Sequence, residues 1–120
     1  YLSKPYVMLG FNVIAAETDE EARLLATSGQ QAFVNLRTGR PSKLKPPVKG
    51  YFESLDPMAQ TMLQQVLSCS AIGSPDTVAA ALQKFIAETE ADELMISGHI
   101  FDHAARLRSY ELTDKIRKSL

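Results

Sequence analysis

Residues 5 to 16 form a run, PYVMLGFNVIAA, that is apolar at both alternating positions and rich in β-branched and aromatic side chains. Such a run is typical of a β-strand that is covered on both faces, as in a parallel sheet. A helix start follows at once, because Thr18 and Glu21 have the spacing of a capping box. Apolar residues then recur on one helical face as far as Leu36. A strand that leads directly into an amphipathic helix predicts an α/β protein.

Three further helices are predicted from their start signals. Asp56, Ser74 and Asp102 each occupy a position from which a side chain can cap a helix, and proline follows the first two. Two more buried strands, residues 69–72 and 93–98, lie between these helices. Strands that alternate with helices are normally joined by parallel, right-handed crossovers. The sequence therefore predicts about three parallel strands with flanking helices, which suits either a doubly wound sheet or part of a barrel.

Residues 37–56 differ from the rest of the chain, because prolines and unopposed basic side chains replace the apolar pattern. The prolines exclude a regular helix, so an exposed loop is predicted here. Its basic residues are Arg37, Arg40, Lys43, Lys45 and Lys49. With this loop included, residues 1–120 are long enough for a single domain with its own core.

The charges of the chain nearly cancel, with 13 Lys and Arg against 14 Asp and Glu. This balance gives no reason to expect nucleic acid or a membrane surface as a partner. No apolar run is long enough to span a bilayer, which favours a cytoplasmic location. The chain begins with Tyr1 rather than Met, so we expect either a piece of a longer protein or a processed chain. Cys69 lies in an apolar stretch and is predicted to be buried and unreactive. The four methionines are likewise expected in the core: Met8, Met58, Met62 and Met95.

Three segments carry a family resemblance: GSPDTV at 73–78, ADELMI at 91–96 and HIFDHAARLRSY at 99–110. Together they resemble the closing segment of the bacterial luciferase-like monooxygenases. The opening residues, with the strand at 5–16 and the helix start at 18–22, are similar to the alkanal-monooxygenase-like branch of that family. The resemblance extends over essentially the whole chain.

The resemblance implies the C-terminal part of a (β/α)8 TIM barrel that binds reduced FMN and oxidises a small organic substrate with O2. It leaves open whether the flavin is FMN or a deazaflavin relative. A complete barrel of this kind needs about 250 residues, so this chain would supply the last three strands. Three strands alone leave open sheet edges and an uncovered face. We therefore expect a homo-oligomer.

The resemblance also places candidate site residues. His99 and His103 flank the end of the last strand, which is the catalytic face of a barrel. His99 would contact the flavin or donate a proton, because imidazole titrates near neutral pH. In the alternative interpretation, Asp102 only caps the helix, His103 is exposed and His99 packs at the strand end. No metal site is predicted, since these three residues are close together at a strand end and a helix start, and no distant ligand accompanies them.

Three other residues are candidates for cofactor binding. Arg40, in the basic loop, would attract the flavin phosphate, although a solvated loop explains its charge equally well. Ser74 begins a helix whose N-terminus could bind an anion, although capping alone accounts for a serine there. Asn12 lies in a buried strand and needs a hydrogen-bond partner, either a ligand or a neighbouring strand.

Two functions of different classes follow from these predictions. The chain is either a portion of a flavin-dependent monooxygenase or a non-catalytic structural and oligomerisation module that keeps only the scaffold. The first function predicts flavin binding once the missing strands are supplied, and the second predicts none.

Overall fold

The first strand and the first helix form where the sequence predicts them. In a computed structural model that describes residues 4–120, strand β1 is Met8–Ala15 and helix α1 is Asp19–Arg37. The predicted N-cap is present at its helix start, where the backbone amide of Glu21 donates to Oγ1 of Thr18 at 3.2 Å. The strand is shorter than the apolar run, because pairing with neighbouring strands begins only at Met8.

The predicted order of the remaining elements is also observed. The helices that follow are α2 (Tyr51–Ser54), α3 (Pro57–Val66), α4 (Pro75–Thr89) and α5 (His103–Arg117). The other strands are β2 (Ser70–Gly73) and β3 (Glu93–Ser97), and a 3-10 turn at Leu67–Cys69 precedes β2. Three of these helices carry the predicted caps: Asp56, Ser74 and Asp102 accept from the third residue of α3, α4 and α5.

The three strands are parallel and lie in the order β2-β1-β3. The α/β class and the parallel sheet are thus confirmed. In a (β/α)8 barrel, strands that follow one another along the chain are neighbours, and every helix lies outside. Here β1 lies between the two later strands, which is the order found at the start of doubly wound, flavodoxin-like sheets.

Both faces of the sheet are covered, so the fold has three layers. On one face, α4 and α5 pack on Phe11 and Val13 of β1, with Val78 and Leu112 among the buried helix residues. On the other face, α1 packs on Ile14, and the buried Ala22 and Ala26 belong to the same apolar cluster. The alternation of β1 side chains between two cores explains why its sequence is mainly apolar on both faces, with Asn12 as the polar exception.

Four sequence predictions are wrong in detail. The loop predicted at 37–56 contains the short helix α2. The thiol of Cys69 is exposed, because this residue lies in the 3-10 turn and not in the strand. Met58 is 83% exposed in the first turn of α3, whose only buried residue is Leu63. Met8 and Met95 are also exposed, because α1 covers only the carboxyl half of β1.

No helix within residues 4–120 is long and apolar enough to cross a membrane.

Candidate functional site

A cavity of about 280 Å³ lies between α1 and the sheet face that α1 covers. Asn12 and Ile14 of β1 form its floor, and Phe33 of α1 forms part of its wall. His99, which follows β3, also lines it. Two residues predicted to bind the cofactor, Asn12 and His99, are therefore brought to one cavity. Hereafter this space is called the inner cavity.

Two close contacts of the segment after β3 position His99 at the inner cavity. The chain turns after β3 and crosses β1 at Gly98, where an added Cβ atom would lie 2.6 Å from the backbone oxygen of Val13. The next residue, His99, then packs on α1, with its Cβ atom 3.6 Å from the position that a Cβ atom would take at Gly29. Buried Ile100 fixes this crossing in the core shared with α1. The side chain of His99 itself remains exposed at the cavity wall.

Asn12 has a hydrogen-bond partner on a neighbouring strand, which is one of the two alternatives that the sequence predicted. The hydroxyl of Ser97 on β3 donates to Oδ1 of Asn12 at 2.7 Å. Because this bond uses the amide oxygen, it leaves the amide nitrogen of Asn12 as a donor at the floor of the inner cavity.

Gln30 is a site residue that the sequence reasoning missed. Its Oε1 atom is buried and has no hydrogen-bond partner among the described protein atoms. The residue lines the inner cavity from α1, one turn after Ala26 and three residues before Phe33. A glutamine on the otherwise apolar stripe of a helix is a detectable signal, since buried polar groups are normally paired.

A second, larger cavity of about 1010 Å³ lies between α1 and the α2 region, and is called the outer cavity below. Gln30, Leu67, Ser70 and two apolar residues line both cavities, so the two spaces adjoin. The outer cavity is also lined by five charged side chains: Glu20, Glu21, Arg23, Lys49 and Glu53.

The predicted anion site at Ser74 already contains a carboxylate of the protein. Oδ1 of Asp19 accepts hydrogen bonds from the backbone amide of Ser74 at 2.7 Å and from Oγ1 of Thr77 at 2.8 Å. These two bonds, the first above all, hold the pKa of Asp19 below its usual value. The arrangement joins the N-terminus of α1 to that of α4.

His103 and Arg40 lie apart from the residues that line the two cavities. His103 is exposed in the first turn of α5, where its ring nitrogen Nδ1 contacts the guanidinium of Arg106. Arg40 is exposed in the loop after α1, and its backbone amide donates to the oxygen of Asn35 at 2.7 Å. Among the basic loop residues, Lys49 is the one that reaches the outer cavity. Within residues 4–120, no group of three His, Cys, Asp or Glu side chains is placed to hold a metal ion.

Comparison with known proteins supports the family resemblance. The chain is 44% identical over 119 residues to a luciferase-like monooxygenase of Escherichia coli K12, a match that covers 99% of this chain and 36% of the relative. It is 41% identical over 118 residues to the uncharacterized protein YvbT of Bacillus subtilis, covering 98% and 35%. The resemblance to the luciferase-like monooxygenases is confirmed. No family model matches the chain.

A solved structure agrees with this relationship to the luciferase-like monooxygenases. The crystal structure of apo-MsnO8 superposes with a TM-score of 0.70 at 26% identity, over 95% of this chain and 35% of that one. The chain thus spans about a third of the length of the relatives that it matches. This share is consistent with a C-terminal portion of the luciferase-like family.

The outer cavity suits only part of the flavin that the family resemblance implies. Its volume is at the upper end of ordinary ligand sites, and Leu24, Phe52 and Ile72 give it apolar walls for a ring system. Its charges suit a phosphate poorly, because Arg23 and Lys49 are outnumbered by three carboxylates. The described residues therefore fit the ring of FMN and not its phosphate.

Proposed function

We propose that this chain is the C-terminal part of a flavin-dependent enzyme that oxidises a small organic substrate with O2 and reduced FMN. The observation that carries the proposal is the 44% identity, over 119 residues, to a protein named luciferase-like monooxygenase. The flavin would supply the oxygen chemistry, and the protein would bind the reactants, orient them and exclude water.

The three strands are proposed to belong to a (β/α)8 barrel in the longer protein. In such a barrel, the strand that precedes β1 would pair with the edge of β1 that β3 occupies here, and β3 would pair with β2. In the isolated chain, β3 thus closes an edge that would otherwise expose unpaired backbone groups. The order β2-β1-β3 is compatible with the barrel if β3 changes its place during assembly.

His99 is the proposed proton donor, because it follows β3 at the carboxyl end of the sheet, which is the catalytic face of a barrel. Its place at the wall of the inner cavity belongs to the isolated chain, in which β3 pairs with β1. Asn12, at the floor of the same cavity, is proposed to bind the flavin or the substrate. Ser74, His103 and Arg40 do not line the inner cavity. They are proposed to contact the cofactor in the assembled barrel. Since the charges of the outer cavity do not suit a phosphate, the phosphate of FMN is proposed to lie outside this cavity.

A homo-oligomer is proposed for the isolated chain, because apolar side chains at the amino end of the sheet are uncovered. Met8 is 52% exposed and Met95 is 59% exposed, on the sheet face that α1 leaves open there. A second copy would remove these side chains from water. We also propose a cytoplasmic location, since the single cysteine suits a reducing compartment.

Complementation tests the proposed function. The chain is mixed with the portion of the Escherichia coli relative that it does not match, and FMN is titrated while flavin fluorescence is recorded. We expect saturable binding by the mixture and much weaker binding by either part alone. Light scattering on the same samples reports assembly. Assembly of the two parts without flavin binding would instead support the alternative, a structural module that keeps only the scaffold.

A further inference from the structure

We infer that two copies of the isolated chain form a twofold dimer in which the last turn of α1 of each copy covers an open half of the other's sheet. This surface lies at the amino end of the sheet, on the side of α1, and is called the open face. It is formed by Met8 and Gly10 of β1 and by Glu93 and Met95 of β3. The inference rests on the homo-oligomer proposed above, to which it gives a surface and a symmetry, and it involves no flavin.

The four residues of the open face share one side of the sheet and are all exposed. Met8 pairs with Glu93 and Gly10 pairs with Met95, and paired residues of neighbouring strands point to the same side. Ile14, an even number of residues after Met8, packs in the cluster under α1, so this side is that of α1. Open space surrounds the Cβ position of Gly10. Contiguous apolar surface of this kind marks an interaction site.

The space above the open face suits one additional helix. Helix α1 lies over β2 and the carboxyl half of β1. The outer strands of a three-stranded sheet are about 10 Å apart, because neighbouring strands are spaced by about 4.8 Å. Packed helices have their axes about 8–10 Å apart. A helix beside α1 would therefore lie over β3 and the open half of β1, a place that no described helix takes, since Met8 and Met95 are exposed there.

The last turn of α1 is the element of a second copy that can reach this place. Helix α1 runs antiparallel to β1, because Ala22 packs at the carboxyl end of β1 whereas Phe33 lines the inner cavity above Asn12. Leu36 and Arg37 therefore lie near the amino end of the sheet, and Leu36 is 61% exposed. A twofold axis along the strands would bring the amino ends of the two sheets together. Leu36 of each copy would then contact the open face of the other.

The charges of the two surfaces are complementary, which favours a second copy as the occupant. Glu93 brings a carboxylate to the open face. The guanidinium of Arg37 lies 5.3 Å from the ring centroid of Phe33, at the exposed end of α1. Within residues 4–120, neither Glu93 nor Arg37 forms an ion pair. In the dimer, Arg37 of one copy would face Glu93 of the other, and the symmetry would repeat this pair.

Sedimentation equilibrium of the isolated chain, over a hundredfold range of concentration, tests the dimer. We expect a reversible equilibrium between monomer and dimer without larger species. A monomer at every concentration, or open-ended assembly, would overturn the inference. A monomer that assembles with the part of the Escherichia coli relative that this chain does not match would also overturn it, because the open face would then belong to the longer protein.

Charge reversal tests the pairing of Arg37 with Glu93. Arg37→Glu and Glu93→Arg should each weaken the dimer about tenfold or more, because like charges would meet twice. A mixture of the two variants restores both pairs and should form a heterodimer with the affinity of the parent. Lys84→Glu makes the same change of charge on α4, at the opposite face, and should leave the dimer unchanged. Equal effects of Arg37→Glu and Lys84→Glu, or a mixture that stays monomeric, would contradict the pairing.

A second pair of variants tests the apolar contact. Met95→Asp should abolish the dimer, whereas Met58→Asp changes an exposed methionine outside the open face and should preserve it. Circular dichroism confirms that each variant folds, and equal dissociation in both would contradict the surface. FMN binding by the complemented protein is measured separately. Its loss beside an intact dimer would contradict the proposed function alone.

Discussion

The backbone amide of Ala15 donates to the hydroxyl of Ser109 at 2.9 Å, in the core and across 94 residues of sequence. Pairing between β1 and β3 ends at Asn12 and Ser97, so β1 extends three residues beyond its neighbour. The Ser109 side chain thus takes the place of a strand partner. This bond fixes α5 against the carboxyl end of β1, beside the segment that carries His99.

Ser109→Ala should lower the free energy of unfolding by about 1–3 kcal/mol, because the amide of Ala15 would be buried without an acceptor. Urea unfolding followed by circular dichroism measures the change. Ser68→Ala, at an exposed serine, is the control and should stay within about 0.5 kcal/mol of the parent. Equal changes in the free energy of unfolding for the two substitutions would contradict a stabilising role of the Ser109 hydrogen bond.

Gly98→Ala should destabilise the fold by about 1–3 kcal/mol, since the added methyl group would meet the backbone oxygen of Val13. The crossing segment would have to move away from β1, and His99 would move with it. Gly10→Ala is the matched control, because open space surrounds its Cβ position. Thermal unfolding of both variants tests the contact, and a Gly98→Ala variant as stable as Gly10→Ala would contradict it.

Leu63→Ala should cost about 2–5 kcal/mol, because Leu63 is fully buried and is the residue through which α3 joins the core. Met58→Ala on the same helix should change the stability by less than about 0.5 kcal/mol, since Met58 is largely exposed. Denaturant midpoints compare the two variants directly. A large loss with Met58→Ala would show that α3 packs through its other side.

Asp19→Asn should lower the melting temperature at pH 7 and remove part of the pH dependence of stability. Hydrogen bonds from Ser74 and Thr77 hold the pKa of Asp19 below its ordinary value of 3.8 in the folded state. A lowered pKa contributes stability that is present above the unfolded value and is lost as the pH falls through the folded value. The difference in melting temperature between the parent and the variant should therefore narrow below about pH 3.8. A difference that is constant with pH would contradict this role of the carboxylate.

Local signals predicted most of the secondary structure. The caps at Thr18, Asp56, Ser74 and Asp102 each accept from the amide three positions later, so the sequence displays them directly. The order of the strands depends on contacts between distant residues, such as Phe11 with Ile96, and no local pattern specifies it. The family resemblance implied a barrel, in which the three strands would be neighbours in chain order. In the isolated chain, β1 instead lies between β2 and β3.

The candidate site was predicted only in part, for the same reason. Asn12 and His99 were both chosen as candidates from the sequence, but only the crossing at Gly98 brings them to one cavity. The apolar face of α1 can be followed equally well through Gly29, so periodicity alone does not single out Gln30. The carboxylate of Asp19 at Ser74 could not be foreseen, since 55 residues separate them.

A chain that is part of a flavin-dependent luciferase-like enzyme, as proposed here, should function in place of the matching part of a relative. The most direct measurement replaces the matching third of the Escherichia coli relative with these 120 residues and determines the FMN bound per chain after purification. Covalent linkage removes failed assembly as an explanation, and the unaltered relative is measured in parallel. We expect the hybrid and the unaltered relative to bind the same number of FMN molecules per chain. A folded, monodisperse hybrid that binds no FMN, beside a relative that does, would contradict it.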